Sequence, residues 1–174
     1  SMSISILGAG AFGTALAIAL AKHRHGVRLW ARDAAHLRNM QTVRCNQKRL
    51  PNMGFPEALE IATDLAECAA AEIVLLAVPM QQLGGFLSAL PQKNSPKYLV
   101  SCCKGIDLET GKGPSALLQA QAPNAQAAVL TGPSFATDLA AGLPTALSLA
   151  CADASVGLYC LLYTSDAADD GVGV

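Results

Sequence analysis

Apolar positions fall in short continuous blocks, and stretches of helical spacing separate them. Ile4-Ser5-Ile6-Leu7 is the first block and stops at Gly8. Residues 14–22 are rich in Ala and Leu and predict a helix that ends near Gly26. Val27-Arg28-Leu29-Trp30 reads as a second strand, residues 34–44 as a helix, and residues 46–56 as a proline-bounded loop. A third strand is expected over 59–62 and a short helix over 65–71. Ile73-Val74-Leu75-Leu76-Ala77-Val78 is apolar on both faces and ends at Pro79, the pattern of a strand covered from both sides. Leu83, Phe86, Leu87 and Leu90 then repeat at helical spacing, against which Gly84-Gly85 counts. Further strands are expected over 98–102, 127–130 and 146–150, with helices over 115–122 and 135–141. Strands alternating with helices imply βαβ units, hence an α/β fold with a doubly wound, mostly parallel sheet. After Cys151 the pattern decays, and residues 164–174 are small and acidic. The expected organisation is one domain over 1–163 and an irregular tail over 164–174.

Composition narrows the function classes. Hydrophobic residues make up 52% and charged residues 14% of the 174 positions, which excludes a disordered or coiled-coil chain. The net charge is −1, with acids and bases scattered. That leaves no basic stripe for nucleic acid and no polybasic patch for a membrane surface. No apolar run reaches the length of a membrane span. The first strand begins at once, so no signal peptide is expected. None of the six cysteines stands in a Cys-x-x-Cys pair; reduced, mostly buried thiols of a cytoplasmic protein are expected. His23, His25 and His36 have no Cys or carboxylate at ligand spacing, so no metal site is expected.

The chemistry enters with Gly8-Ala9-Gly10-Ala11-Phe12-Gly13, a Gly-x-Gly-x-x-Gly run. Alone that motif is weak. Here a strand precedes it, a helix follows, and a second strand closes the unit, as a dinucleotide-binding domain of the Rossmann type requires. Gly8 permits the tight turn, Gly10 lets a pyrophosphate approach the backbone, and Gly13 lets helix and strand pack closely. Free N–H groups at the helix N-terminus then hold the phosphates. The competing reading is a tight turn with no ligand. The second strand ends Trp30-Ala31-Arg32-Asp33. An acid at that place binds the ribose 2′-hydroxyl of NAD, whereas Arg32 can accept the 2′-phosphate of NADP and stack on adenine. Arg32 favours NADPH, and Asp33 keeps NADH as a second cofactor. A solvated surface arginine is the plain alternative.

Three further segments follow predicted strands: Ala77-Val78-Pro79, Lys104-Gly105-Ile106 and Thr131-Gly132-Pro133-Ser134-Phe135-Ala136. Together with the glycine loop, Leu29-Trp30-Ala31-Arg32, Asn46…Leu50-Pro51 and Gly142-Leu143-Pro144-Thr145-Ala146, they resemble bacterial NAD(P)-dependent glycerol-3-phosphate dehydrogenase over residues 2 to 151. The resemblance implies reversible reduction of dihydroxyacetone phosphate to sn-glycerol 3-phosphate, a product that feeds phospholipid synthesis. It implies cofactor contacts from Gly8, Gly10, Ala11, Phe12, Gly13, Arg32, Val78, Pro79 and Ala136. Lys104 would lie between nicotinamide and substrate as the catalytic cation, and Gly132 and Ser134 would contact substrate. The family commonly has Ser where Ala11 stands, so one hydroxyl contact is missing. On their own, Lys104 reads as an exposed lysine and Ser134 as a helix cap.

The family continues into a helical domain that opens near a Gly-Gly-x-x-Lys-Asn segment, whose lysine exchanges the proton. These 174 residues contain no such segment. A chain shortened or frame-shifted before that domain is expected, with little turnover of its own and possible self-association through the uncovered face. Two rival readings remain: a nucleotide-binding module without catalysis, and another two-domain dehydrogenase, of the 6-phosphogluconate or hydroxyacyl-CoA type.

Overall fold

The computed structural model describes residues 3–22, 24–90, 96, 98–102, 108–131, 136, 140 and 148–151. The apolar blocks are strands. β1 (Ile4–Leu7), β2 (Val27–Trp30), β5 (Glu60–Ile61), β6 (Ile73–Leu76), β7 (Tyr98–Ser101), β8 (Gln126–Thr131) and β9 (Ser148–Cys151) form one sheet in the order β5-β2-β1-β6-β7-β8-β9. The first six are parallel, and β9 pairs with β8 antiparallel. Every residue of β1, β6 and β7 is buried, which is why those blocks show no alternation of polar and apolar positions.

Among the described residues, five helices of known bounds connect the strands: α1 (Ala11–Ala21), α2 (Ala34–Val43), α3 (Leu65–Ala69), α4 (Met80–Ala89) and α5 (Pro114–Gln121). Right-handed crossovers put α1 and α2 on one face and α3, α4 and α5 on the other, because the chain reverses direction across the sheet after β5. α4 and α5 accordingly touch, and α1 lies on β1 and β2. The core runs through Ile4, Ile6, Leu16, Leu29, Leu75 and Leu83, all fully buried. None of the described helices is long and apolar enough to cross a membrane.

Three details differ from the sequence reading. α1 starts at Ala11 rather than at residue 14, because the chain turns into the helix directly after an extended Gly10 (φ −72°, ψ −176°). The expected loop over 46–56 holds an antiparallel hairpin, β3 (Cys45–Asn46) with β4 (Leu50–Gly54). Gly84-Gly85 does not break α4, since Met80, Leu83, Phe86 and Leu87 anchor that helix in the core. The helix expected over 135–141 lies largely outside the described residues, although Ala136 and Ala140 are helical and Ala140 is buried.

Candidate functional site

The register of the parallel strands brings their carboxyl ends level. Leu7 pairs with both Trp30 and Leu76, and Leu76 pairs with Ser101. The ladder then runs on into the loops: Gly8 N donates to Trp30 O (2.8 Å), Ala77 N to Leu7 O (2.8 Å) and Cys102 N to Leu76 O (2.9 Å). The glycine loop, the Ala31-Arg32 segment and the Ala77-Val78-Pro79 segment therefore stand side by side at one edge. The strand order reverses between β1 and β6, and doubly wound sheets bind ligands in the crevice at that point.

The crevice is a cavity of about 480 Å³. Gly8, Ala9 and Gly10 form one wall, Ala77, Val78 and Pro79 a second, and Trp30, Ala31, Arg32 and Asp33 a third. Gln82 and Phe86 of α4, His36 of α2 and Lys48 and Arg49 of the hairpin turn complete it. The glycines divide by what confines them. Gly8 has φ +117°, and a Cβ there would lie 2.8 Å from the Ala77 carbonyl carbon and nearer still to its oxygen. A Cβ on Gly13 would meet Gly8 O and the Ala77 Cβ. A Cβ on Gly10 would meet no atom within 4 Å. The fold therefore requires glycine at 8 and 13, whereas at 10 only something entering the crevice would.

Beside Gly10 the helix presents N–H groups that have no acceptor within the first turn of α1, and no acidic side chain lies in that turn. Ala11 and Phe12, expected from the sequence as cofactor contacts, open the helix but do not line the crevice, and Phe12 is half-buried against the core. The donor set fits a pyrophosphate: glycine-loop amides, a helix N-terminus, and three cations, Arg32, Lys48 and Arg49, exposed on the rim.

Asn46 holds this arrangement together. It is fully buried, and its Nδ2 donates to Ala9 O (3.0 Å) and to Thr14 Oγ1 (2.8 Å), while its Oδ1 accepts from Arg49 N (3.2 Å). One amide thus ties the glycine loop, α1 and the cationic turn to each other. Across the crevice, Asp33 caps α2 by accepting from Ala35 N (2.9 Å) and His36 N (3.3 Å). Those two backbone donors, His36 first, hold its carboxyl below the usual carboxylate range. His36 Nε2 is buried with no hydrogen-bond partner among the described residues. The Arg32 guanidinium lies 5.7 Å over the Phe86 ring. Among the described residues Arg32 makes no ion pair; the two ion pairs are those of Arg28 with Glu60 and Glu67.

Of the residues expected from the sequence, Gly8, Gly10, Arg32, Val78 and Pro79 line one cavity, and Gly13 packs the loop behind it. Ala136 is half-buried against the core. Lys104, Gly132 and Ser134 lie outside the described residues. Sequence reasoning missed the cavity positions of His36, Lys48, Arg49, Gln82 and Phe86. The adjacent bases Lys48-Arg49 were the one available signal, and helical spacing had placed Phe86 in the core.

Fold and crevice together define the class, a Rossmann-type dinucleotide-binding domain. Residues 3–157 match the family described as NAD-dependent glycerol-3-phosphate dehydrogenase N-terminus, and the chain belongs to that family. It is 53% identical over 150 residues to glycerol-3-phosphate dehydrogenase [NAD(P)+] of Ruegeria sp. (strain TM1040), with 86% of this chain and 47% of the relative covered. To the protein of the same name from Paracoccus denitrificans (strain Pd 1222) it is 54% identical over 153 residues, covering 88% and 46%. The crystal structure of glycerol-3-phosphate dehydrogenase from Coxiella burnetii superposes with a TM-score of 0.82 at 33% identity, covering 94% of this chain and 51% of that one. The chain thus spans about half the length of the curated relatives it matches.

Proposed function

We propose that this chain is the cofactor-binding half of an NAD(P)-dependent glycerol-3-phosphate dehydrogenase, acting on dihydroxyacetone phosphate and sn-glycerol 3-phosphate. The observation that carries the reading is Gly10, a glycine that the fold leaves free and a bound pyrophosphate would need. The amides of Ala11, Phe12 and Gly13 donate to the phosphates, and Val78 and Pro79 line the opposite wall. Arg32 takes the adenosine end, with NADPH favoured and NADH accepted. A nicotinamide cofactor supplies hydride to the ketone carbon when bound. Lys104 is assigned, by family resemblance, to bind the substrate oxygen and to stabilise the negative charge that develops there. Gly132 and Ser134 contact substrate and Ala136 contacts cofactor on the same basis.

The protein is read as cytoplasmic, with no nucleic-acid partner, and as prone to self-association. The nucleotide-binding domain is proposed to span residues 1–163. A general acid placed at the substrate oxygen contributes about 10²- to 10⁴-fold. These 174 residues contain no counterpart of the family's proton-exchanging lysine. The test is calorimetric titration with NADPH and NADH, beside an assay of NADPH oxidation by dihydroxyacetone phosphate. Binding of both cofactors is expected. A folded chain that binds neither cofactor would overturn the reading.

A further inference from the structure

Phe86 belongs to none of the motifs considered so far, yet it stands where two cavities meet. The crevice of about 480 Å³ and a neighbouring cavity of about 630 Å³ share Trp30, Arg32, Gln82 and Phe86. Phe86 is buried, and its ring packs on Trp30 with centroids 6.0 Å apart and planes tilted by 50°. Trp30 ends β2 and Phe86 belongs to α4, the helix after β6, so the pair bridges over the end of β1 that lies between them. The outer surface of this bridge carries the Arg32 guanidinium, 5.7 Å from the Phe86 centroid.

An exposed arginine normally samples many rotamers, and ordering it for a ligand costs entropy. Stacking on an aromatic face removes part of that freedom beforehand. The Arg32 N–H groups make no ion pair among the described residues, so they stay available for paired hydrogen bonds to a phosphate. We propose, on the reading of the crevice as an NAD(P) site, that Phe86 is a positioning residue for Arg32 and thereby sets discrimination between NADPH and NADH. Phe86 holds the arginine at the wall where the 2′-phosphate arrives.

The experiment is calorimetric titration of the full 174-residue chain with NADPH and with NADH. The proteins are wild type, Phe86→Leu, Phe86→Tyr, Arg32→Ala and the Arg32→Ala/Phe86→Leu double variant, each checked for folding by denaturant titration. Leu keeps an apolar side chain on α4 but removes the π face; Tyr keeps the face. Phe86→Leu is expected to weaken NADPH about 2- to 5-fold more than NADH, the range of a partly exposed cation–π contact. Phe86→Tyr should restore wild-type discrimination. In the Arg32→Ala background Phe86→Leu should no longer change the ratio of the two affinities. Equal weakening of both cofactors, or an unchanged NADPH loss without Arg32, would show that Phe86 acts through packing alone and overturn the proposal. Wild type binding neither cofactor would remove the NAD(P) reading itself and the role of Phe86 with it.

Discussion

Gly10→Ala separates what the fold needs from what a ligand needs. Gly10 has φ −72° and ψ −176°, a backbone that alanine adopts without strain. The added methyl meets no atom within 4 Å. Two small effects on stability oppose each other. Alanine restricts the unfolded chain and stabilises by about 0.4–1 kcal/mol, while it is a poorer N-cap than glycine by a similar amount. The net change in unfolding free energy should lie within about 0.5 kcal/mol of zero. Binding should respond very differently. The methyl enters open space at the wall of the crevice, where on the proposed reading it holds a pyrophosphate away from the loop amides. Losing one charge-assisted hydrogen bond costs about 1.5–3 kcal/mol, or roughly a 10- to 150-fold rise in Kd. Trp30, the one tryptophan of the chain, lines the same cavity and gives a native fluorescence signal for the titration. Gly8→Ala is the control with the opposite signature: its positive φ adds about 1–3 kcal/mol of strain, and the contact with the Ala77 carbonyl adds to that. A Gly10→Ala protein of unchanged stability that binds NADPH like wild type would refute the placement of the pyrophosphate.

Three further outcomes are expected. Asn46→Ala removes two donors and an acceptor from a fully buried site and should destabilise by about 2–4 kcal/mol, measured by denaturant unfolding; a change below about 0.5 kcal/mol would deny Asn46 its tying role. Arg32→Ala should weaken NADPH by roughly 1.5–3 kcal/mol and NADH much less, and equal losses in calorimetry would show that Arg32 does not read the 2′-phosphate. Burial pushes the Cys68 thiol up to about 11 from an ordinary value of 9.0. Its folded-state pKa is raised, so the protonated thiol favours the folded state fully below pH 9, and that advantage is lost as pH rises towards 11. Thermal melts should show stability falling over that window, and falling less in Cys68→Ala; identical slopes would mean that Cys68 is not the group responsible.

The strands of the sheet were legible because burial on both faces leaves an unbroken apolar block, and burial is what a hydrophobic pattern reports. The hairpin was not legible, for physical reasons that can be named. β3 has only two residues, and β4 contains Pro51 together with Asn52 at φ +66°, both signals of a loop. What fixes it lies elsewhere in the chain. The Arg44 guanidinium donates to Pro56 O (2.8 Å) and Phe55 N to Arg44 O (2.9 Å), while Asn46 reaches back 37 positions to Ala9. A buried asparagine and a turn asparagine look alike in sequence, since only the distant partner distinguishes them. Phe86 poses the same difficulty, because helical spacing places it in the core without revealing that one face of the ring carries a guanidinium.

The neighbours Arg32 and Asp33 show where geometry goes beyond the residue list. As a list they balance, one residue favouring a 2′-phosphate and the other a 2′-hydroxyl. In the structure they carry different commitments. The Asp33 carboxylate is engaged by the first turn of α2, and its lowered pKa records two backbone donors that any ribose contact would have to share. Arg32 has no carboxylate partner among the described residues and rests on Phe86 with its N–H edges uncommitted. Lys48 and Arg49 stand on the same rim, where Asn46 Oδ1 accepts from Arg49 N. The charge that the crevice offers an incoming ligand is therefore cationic, although the chain as a whole carries −1. On the proposed reading that local excess favours NADPH over NADH, with a buried asparagine and a buried phenylalanine helping to place the cations that carry it.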